Sequence, residues 1–406
     1  MLNYTALWGA SSFPGNTLQQ SITSMGDQTT YFDQQYEPNY AGAVTLTPGS
    51  TFIPMIYGLS DVNSAKLNAA QSYGDTLMTF NEPDCNDITV AQALASWPAL
   101  EATGMTLSAP ATCSDASDPN GWLAQFMAGA NAAGYKVGFI VVHYYPGNIN
   151  YSESNLNNPE ANATATINNL TAVHNLYPNY PIWLGETALT YNTLATHEQQ
   201  EAYMKTLLPQ LEAMPSWLVH YSWWTTYFWE FGDWGLNLTD QNGKINPLGL
   251  IYNSLGTYDP PPQMVVNGGF ETGDFTGWTS QTRNGGQVGV SSEDAYSGYF
   301  GAWLGGGQAQ ISQIVSNLST NTTYTMNADS YIWTSDAGQA SIAVSSYGGT
   351  ALSNVITANS WNQLAGYQTI QFTTCSACTS AQISISVNDP STWVFVDNVS
   401  IRALSE

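Results

Sequence analysis

Eight short apolar runs punctuate the first 258 residues, at Thr5–Trp8, Thr29–Asp33, Phe52–Tyr57, Thr76–Phe80, Met105–Ser108, Val137–His143, Ile182–Gly185 and His220–Trp224. Longer segments lie between them, and "TVAQALASWPALEAT" and "THEQQEAYMKTLLPQLEAM" space their apolar residues by threes and fours, as an amphipathic helix requires. Strand and helix alternating eight times over this length predict a (β/α)8 TIM barrel. A doubly wound sheet is the alternative, but its first strand usually leads into a Gly-rich phosphate turn. Here that strand leads into "WGASSFPGN", which lacks one.

The rhythm changes at "YDPPPQ", where three prolines favour an extended spacer. The chain therefore reads as an α/β barrel domain over 1–258, a linker over 259–263 and a second domain over 264–406. That second part alternates in twos through "AQISQIVSNL", "ASIAVSSY" and "AQISISVND", with Gly, Ser, Asn and Asp at the turns. An all-β jelly-roll sandwich is the expectation.

Charge narrows the function. Six basic residues face thirty acidic ones, for a net charge of −24. Nucleic acid and anionic membrane surfaces are poor partners for such a chain. Before residue 283 the only basic side chains are Lys66, Lys136, Lys205 and Lys244, too few for a phosphate clamp. Fourteen Trp and 24 Tyr offer flat apolar faces with polar edges, which suits neutral sugars as well as cores.

In a barrel, functional groups gather at the C-terminal ends of the strands. Glu82 ends the fourth run in "TLMTFNE" and Glu186 ends the seventh in "IWLGE"; Asp33 ends the second and is a third candidate. Strands four and seven stand on opposite sides of a barrel mouth, so two carboxylates can converge there, as glycoside hydrolysis requires. Capping or ion pairing is the bland alternative, disfavoured by four lysines and no arginine in the domain. Around the glutamates lie His143 and Tyr145, which share a strand face, and Trp223, Trp224 and Tyr227 at the eighth run. These are the candidate substrate-binding residues. No G-x-S-x-G elbow occurs, "HEQQE" lacks the second His of a zinc-protease helix, and catalysis needs no metal.

Eight Asn-x-Ser/Thr sequons, at Asn3, Asn150, Asn162, Asn169, Asn237, Asn317, Asn321 and Asn398, favour a secreted eukaryotic glycoprotein. Cys85 with Cys113, and Cys375 with Cys378, are expected to form disulfides, since neither a redox helix nor a zinc-ligand partner accompanies the C-x-x-C.

The ordered motifs "FIPMIYG", "TFNEPD", "LASWPALEATGMTLSAPA", "GWLAQFMAGANAAGYKVGFIVVHYYPG", "PIWLGETAL" and "NPLGLIYNSL" resemble glycoside hydrolase family 128, the clan A endo-β-1,3-glucanases, over roughly residues 3–256. The resemblance implies a retaining enzyme acting on β-1,3-glucan as polysaccharide or oligosaccharide. It implies Glu82 as acid/base, Glu186 as nucleophile, and Asn81 as hydrogen-bonding the sugar 2-hydroxyl. The chain departs from the family's usual Thr-Glu-Phe at the nucleophile, having Gly185 and Thr187, and carries Tyr144 where Trp is common. The second domain, from "VVNGGFETGDFTGWT" to "WVFVDNVSI", is similar to galactose-binding-like jelly rolls that include carbohydrate-binding modules. That likeness implies a structural calcium at Glu271 and Asp397. The overall expectation is a secreted monomeric hydrolase; the alternatives are a non-catalytic glucan-binding protein and a hydrolase of another neutral β-glycan.

Overall fold

The structure, a computed structural model, describes residues 3–6, 25, 30–32, 51–149, 152–191, 194–226, 236–239, 243–259, 261–333, 340–359 and 366–404. The chain divides into two compact units, the first ending at Tyr258 and the second built mainly from Asp259 onward.

The first unit alternates parallel strands with helices. Its strands are β1 (Asn3–Ala6), β2 (Thr30–Phe32), β3 (Thr51–Ile53), β4 (Met55–Ile56), β5 (Thr76–Thr79), β6 (Thr106–Leu107), β7 (Ile140–Tyr144), β8 (Ile182–Thr187) and β9 (Leu218–Trp223). The helices are α1 (Ser64–Gln71), α2 (Val90–Glu101), α3 (Trp122–Ala133), α4 (Pro146–Ile149), α5 (Glu153–Leu156), α6 (Pro159–Leu176), α7 (His197–Glu212) and α8 (Pro247–Asn253). Each apolar run of the sequence overlaps a strand, the third being split by Pro54, which has no N–H for a ladder. The two segments read as amphipathic become α2 and α7.

The named strands pair in parallel, in a six-stranded order β3-β2-β1-β9-β8-β7 and a three-stranded order β4-β5-β6. A parallel bridge between Ser108 and Phe139 connects β6 to β7. Every residue of β7 is buried, as expected of a strand covered on both faces. Local chemistry sets the helix ends. Thr89 and Gln92 form a capping box at α2, Asn158 caps α6 ahead of Pro159, and Asn246 caps α8 ahead of Pro247.

The second unit is antiparallel: β10 (Thr279–Arg283), β11 (Gln287–Ser291), β12 (Gly301–Ser316), β13 (Thr323–Trp333), β14 (Ala340–Ser345), β15 (Leu352–Val355), β16 (Tyr367–Thr373) and β17 (Ser380–Ala403). The long strand β12 pairs along nearly its whole length with Ser380–Val396 of β17, and the two carry the others on either side. One buried cluster, including Phe270, Leu304, Ile332, Ile385 and Val394, fills its interior. Among the described residues, no helix is long and apolar enough to cross a membrane.

Both disulfides are present, Cys85–Cys113 and Cys375–Cys378. The sequons fare less uniformly. Asn162, Asn169 and Asn237 are buried, and the Asn162 and Asn169 amides donate to Asn155 and Asn158 carbonyls and to Asp115 respectively. Buried in this way, those three cannot display a glycan on the folded chain.

Candidate active site

Strand β5 does not end by fraying. Phe80 and Glu82 both take positive φ, 30° and 43°, a conformation that side chains with a Cβ adopt only under constraint. The constraint comes from the next strand's loop. Asn81 bridges Ala111, the Glu82 N–H donates to the Ala111 carbonyl at 2.7 Å, and Asp84 accepts from the N–H groups of Cys113 and Ser114. The Cys85–Cys113 disulfide closes the same junction. Glu82 is thereby held at the strand tip with 27% of its side chain exposed.

Glu186 arrives by a different device. Strands β7 and β8 pair Val142 with Leu184, then skip a residue and pair His143 with Glu186. The skipped residue is Gly185. Without this bulge Glu186 would pair with Tyr144 and point to the opposite face. Only glycine fits, because a Cβ there would stand 2.5 Å from Val141 Cγ1 and 3.4 Å from the His143 ring. Ser222 of β9 donates its hydroxyl to the Gly185 carbonyl and braces the bulge. Thr187 donates to the Tyr144 carbonyl at 2.8 Å and contacts the Tyr203 hydroxyl, which gives the family departure at this position a packing role.

The two tips meet at His143. Its Nδ1 lies 3.1 Å from Glu82 Oε1 and 3.4 Å from Glu186 Oε2, and the three donor atoms all lie within 4.8 Å of one another. Burial alone would lower the imidazole pKa, but the Glu186 and Glu82 carboxylates outweigh it and hold it above the ordinary value. Tyr145, on the same face, donates its hydroxyl to Glu186 Oε2 at 2.8 Å. Burial and both carboxylates push its pKa well above that of a free phenol, so it remains a donor. Glu186 itself keeps only 5% side-chain exposure. The three donors could in principle gather round a cation. A metal would have to compete with the proton that the two carboxylates favour on the imidazole.

Asn81 is buried beside Glu82, and its side chain bonds the Tyr57 hydroxyl. Tyr57 also receives Asn86 Nδ2 at 3.5 Å, and its pKa is raised by burial, with the charges of Glu82 and Glu186 adding. Sequence reasoning missed this tyrosine, although "FIPMIYG" ends a strand with it; its place at a strand tip was the available signal.

The aromatic expectations divide. Trp223 is fully buried and donates its indole N–H to the Leu236 carbonyl at 2.8 Å, so it is a core residue and not a sugar platform. Trp223 is the last residue of β9, and its ring is buried against Tyr203. Trp224 keeps 8% exposure, and its backbone N–H donates to the Thr187 carbonyl beside Glu186. Tyr227 and Asp33 lie outside the described residues.

A family model described as the glycosyl hydrolase catalytic core matches residues 9–252. The chain belongs to that family. Among solved structures, this glycosyl hydrolase is similar to a family 128 (subgroup I) endo-β-1,3-glucanase from Amycolatopsis mediterranei. The form in complex with laminaritriose is 30% identical with a TM-score of 0.53, covering 63% of this chain and 99% of that one. The form with laminaripentaose is 29% identical with the same TM-score, covering 63% and 100%. The motif-based likeness to family 128 is thus upheld. A curated relative, a keratan-sulfate endo-1,4-β-galactosidase from Sphingobacterium multivorum, is 36% identical over 138 residues. That match takes in 34% of this chain, which spans only 30% of the relative's length.

In the second unit, Glu271 and Asp397 are brought close enough for each to act on the other's charge. Asp397 is fully buried and accepts the N–H groups of Tyr296 (2.9 Å), Ser297 (3.0 Å) and Asn398 (2.7 Å). Glu271 accepts from Tyr299 through both oxygens, at 3.1 and 3.0 Å. Burial pushes the Asp397 carboxyl well above the usual carboxylate range, with Glu271 adding to the shift against the pull of those N–H groups.

Proposed function

We propose that this glycoside hydrolase is a secreted, retaining endo-β-1,3-glucanase. The observation that carries the reading is the proximity of one oxygen of Glu82 and one of Glu186, within 4.8 Å. Retaining enzymes hold their carboxyl groups about 5–5.5 Å apart, whereas inverting ones leave room for a water at ~6.5–9.5 Å. The strand pairings support a closed (β/α)8 barrel with both groups at its mouth. The structures of the similar enzyme with laminari-oligosaccharides support β-1,3-glucan as the substrate, and two disulfides support an oxidising destination.

The proposed steps balance without a metal. Ionised Glu186 attacks the anomeric carbon while protonated Glu82 gives its proton to the departing glycosidic oxygen, which leaves as the new chain end. Glu82, now a carboxylate, takes a proton from water as that water attacks the same carbon and releases Glu186. The Tyr145 hydroxyl and His143 hold Glu186 in orientation. In this reading Asn81 bonds the sugar 2-hydroxyl. The greater exposure of Glu82 suits the group that must reach both leaving group and water.

The second unit is read as a glycan-binding module stabilised by calcium at Glu271 and Asp397. The buried carboxylate of Asp397 motivates the cation, which would offset its desolvation.

Product release from laminarin, curdlan, cellulose and barley glucan tests the substrate. Release from either β-1,3-glucan with β-configured first products is expected. Turnover of another polymer alone would move the substrate, and turnover of none would favour the glucan-binding alternative.

A further inference from the structure

The outer face of the second unit's sheet carries a patch that its fold does not explain. On β12, β13 and β17, residues Ala302, Leu304, Ile332, Val394 and Val396 point into the core. Their neighbours in sequence therefore point outward. Those neighbours are Trp303, Tyr331, Trp333, Trp393 and Phe395. The register lines them up in two adjoining rows. Trp303, Phe395 and Tyr331 stand opposite one another across three strands, and Gly305, Trp393 and Trp333 form the next row. Trp333 is 69% exposed, and the other four rings are half-buried.

The rings are seated. A Cβ on Gly289, the β11 partner of Trp303, would lie 2.3 Å from that indole, and a Cβ on Gly305 would lie 2.5 Å from the Trp393 indole. Each indole therefore packs over bare backbone where a side chain would block it. Phe395 is stacked by Tyr331 at 4.5 Å, and Trp303 and Trp393 are 5.7 Å apart. Single exposed aromatics are unremarkable, but five contiguous rings on one face mark a recognition surface.

The chemistry around the patch selects its occupant. The Asp294 carboxylate raises the Tyr331 pKa after burial, and the whole chain carries a net charge of −24. Such charge repels polyanions. Flat rings take the C–H faces of sugar rings.

We propose that this face of the second unit binds a neutral β-linked glycan chain, laid across the Trp393 and Trp333 rings. The inference rests on reading the unit as a glycan-binding module and names the surface that does the binding.

Affinity electrophoresis of the full chain tests both levels. Glu186→Ala serves as the parent so that substrate in the gel is not consumed, and the gels contain laminarin or linear β-1,4-galactan. Retardation of the parent in at least one gel is expected, with Trp333→Ala and Trp393→Ala each weakening it roughly tenfold. The same two substitutions in the active enzyme should leave hydrolysis of short laminari-oligosaccharides unchanged, which also shows that they fold. Equal retardation of parent and variants would overturn the face, the Glu82/Glu186 site then accounting for any binding of laminarin. No retardation in either gel would overturn the module itself. Sedimentation showing a dimer that Trp333→Ala dissociates would make the face a self-association surface and overturn the glycan.

Discussion

This chain brings two pairs of carboxylates together over long sequence distances, and they are treated in opposite ways. In the second unit, Asp397 is surrounded by backbone N–H groups, and Glu271 accepts Tyr299 N–H through both oxygens. In the first unit, Glu82 and Glu186 meet an imidazole and a phenol, partners that can give or hold a proton. Amide donors orient a carboxylate without exchanging protons with it. Titratable donors leave its state adjustable. The difference teaches where to expect chemistry and where to expect architecture, and it can be broken by substitution.

The largest effect should come from the first pair. Glu186→Ala should remove turnover of natural glucan with the fold intact, and Glu82→Gln should lower it by about 10²–10⁴-fold, the usual contribution of a general acid. An activated aryl glycoside separates the roles. On it, Glu82→Ala with azide should give a β-glycosyl azide and Glu186→Ala an α-azide, and NMR of the products would show whether the roles are reversed. Next in size is Tyr145→Phe. It deletes one charge-assisted hydrogen bond to Glu186, a loss of about 1.5–3 kcal/mol, so kcat/KM should fall roughly 10- to 100-fold. A change under twofold would mean that the phenol only packs.

Much of this contrast is legible in the sequence, but unevenly. The eight apolar runs, the proline break and both glutamates at strand ends stand out because period and punctuation are local properties. The bulge at Gly185 is not local, since it depends on what Val141 and Ser222 present from the flanking strands. Trp223 looked like a platform because an aromatic-rich stretch does not reveal which ring the strand turns inward. Tyr57 went unassigned because its relevance lies in two carboxylates more than twenty residues away. In the second unit, alternation reveals the strands, while the aromatic face emerges only when the register aligns β12, β13 and β17.

The second pair should answer to stability rather than to rate. Burial raises the Asp397 pKa in the folded state, so its ionisation opposes folding increasingly as pH rises toward that value. A bound cation would reverse this. With calcium present, a chelator at pH 7.5 should lower the unfolding temperature by about 5 °C. The loss should shrink in acid, where protons replace the cation, and Asp397→Asn should be insensitive to chelator. A melting curve unmoved at pH 7.5 would leave the amide N–H groups as the whole of that site.

The smallest effect, and the sharpest test of the comparison, concerns His143. Its pKa is raised because the attraction of Glu186 and Glu82 exceeds the cost of burial. His143→Gln removes that imidazole, and stability carries the sign of its shift. A raised histidine pKa stabilises the fold fully below about pH 6.5, the unfolded value, and this contribution fades as pH rises through the folded value. The stability advantage of the parent over His143→Gln should therefore be largest near pH 5.5 and decline above neutrality. A stability difference flat across that range would show that the imidazole is neutral between the glutamates and acts only as a spacer.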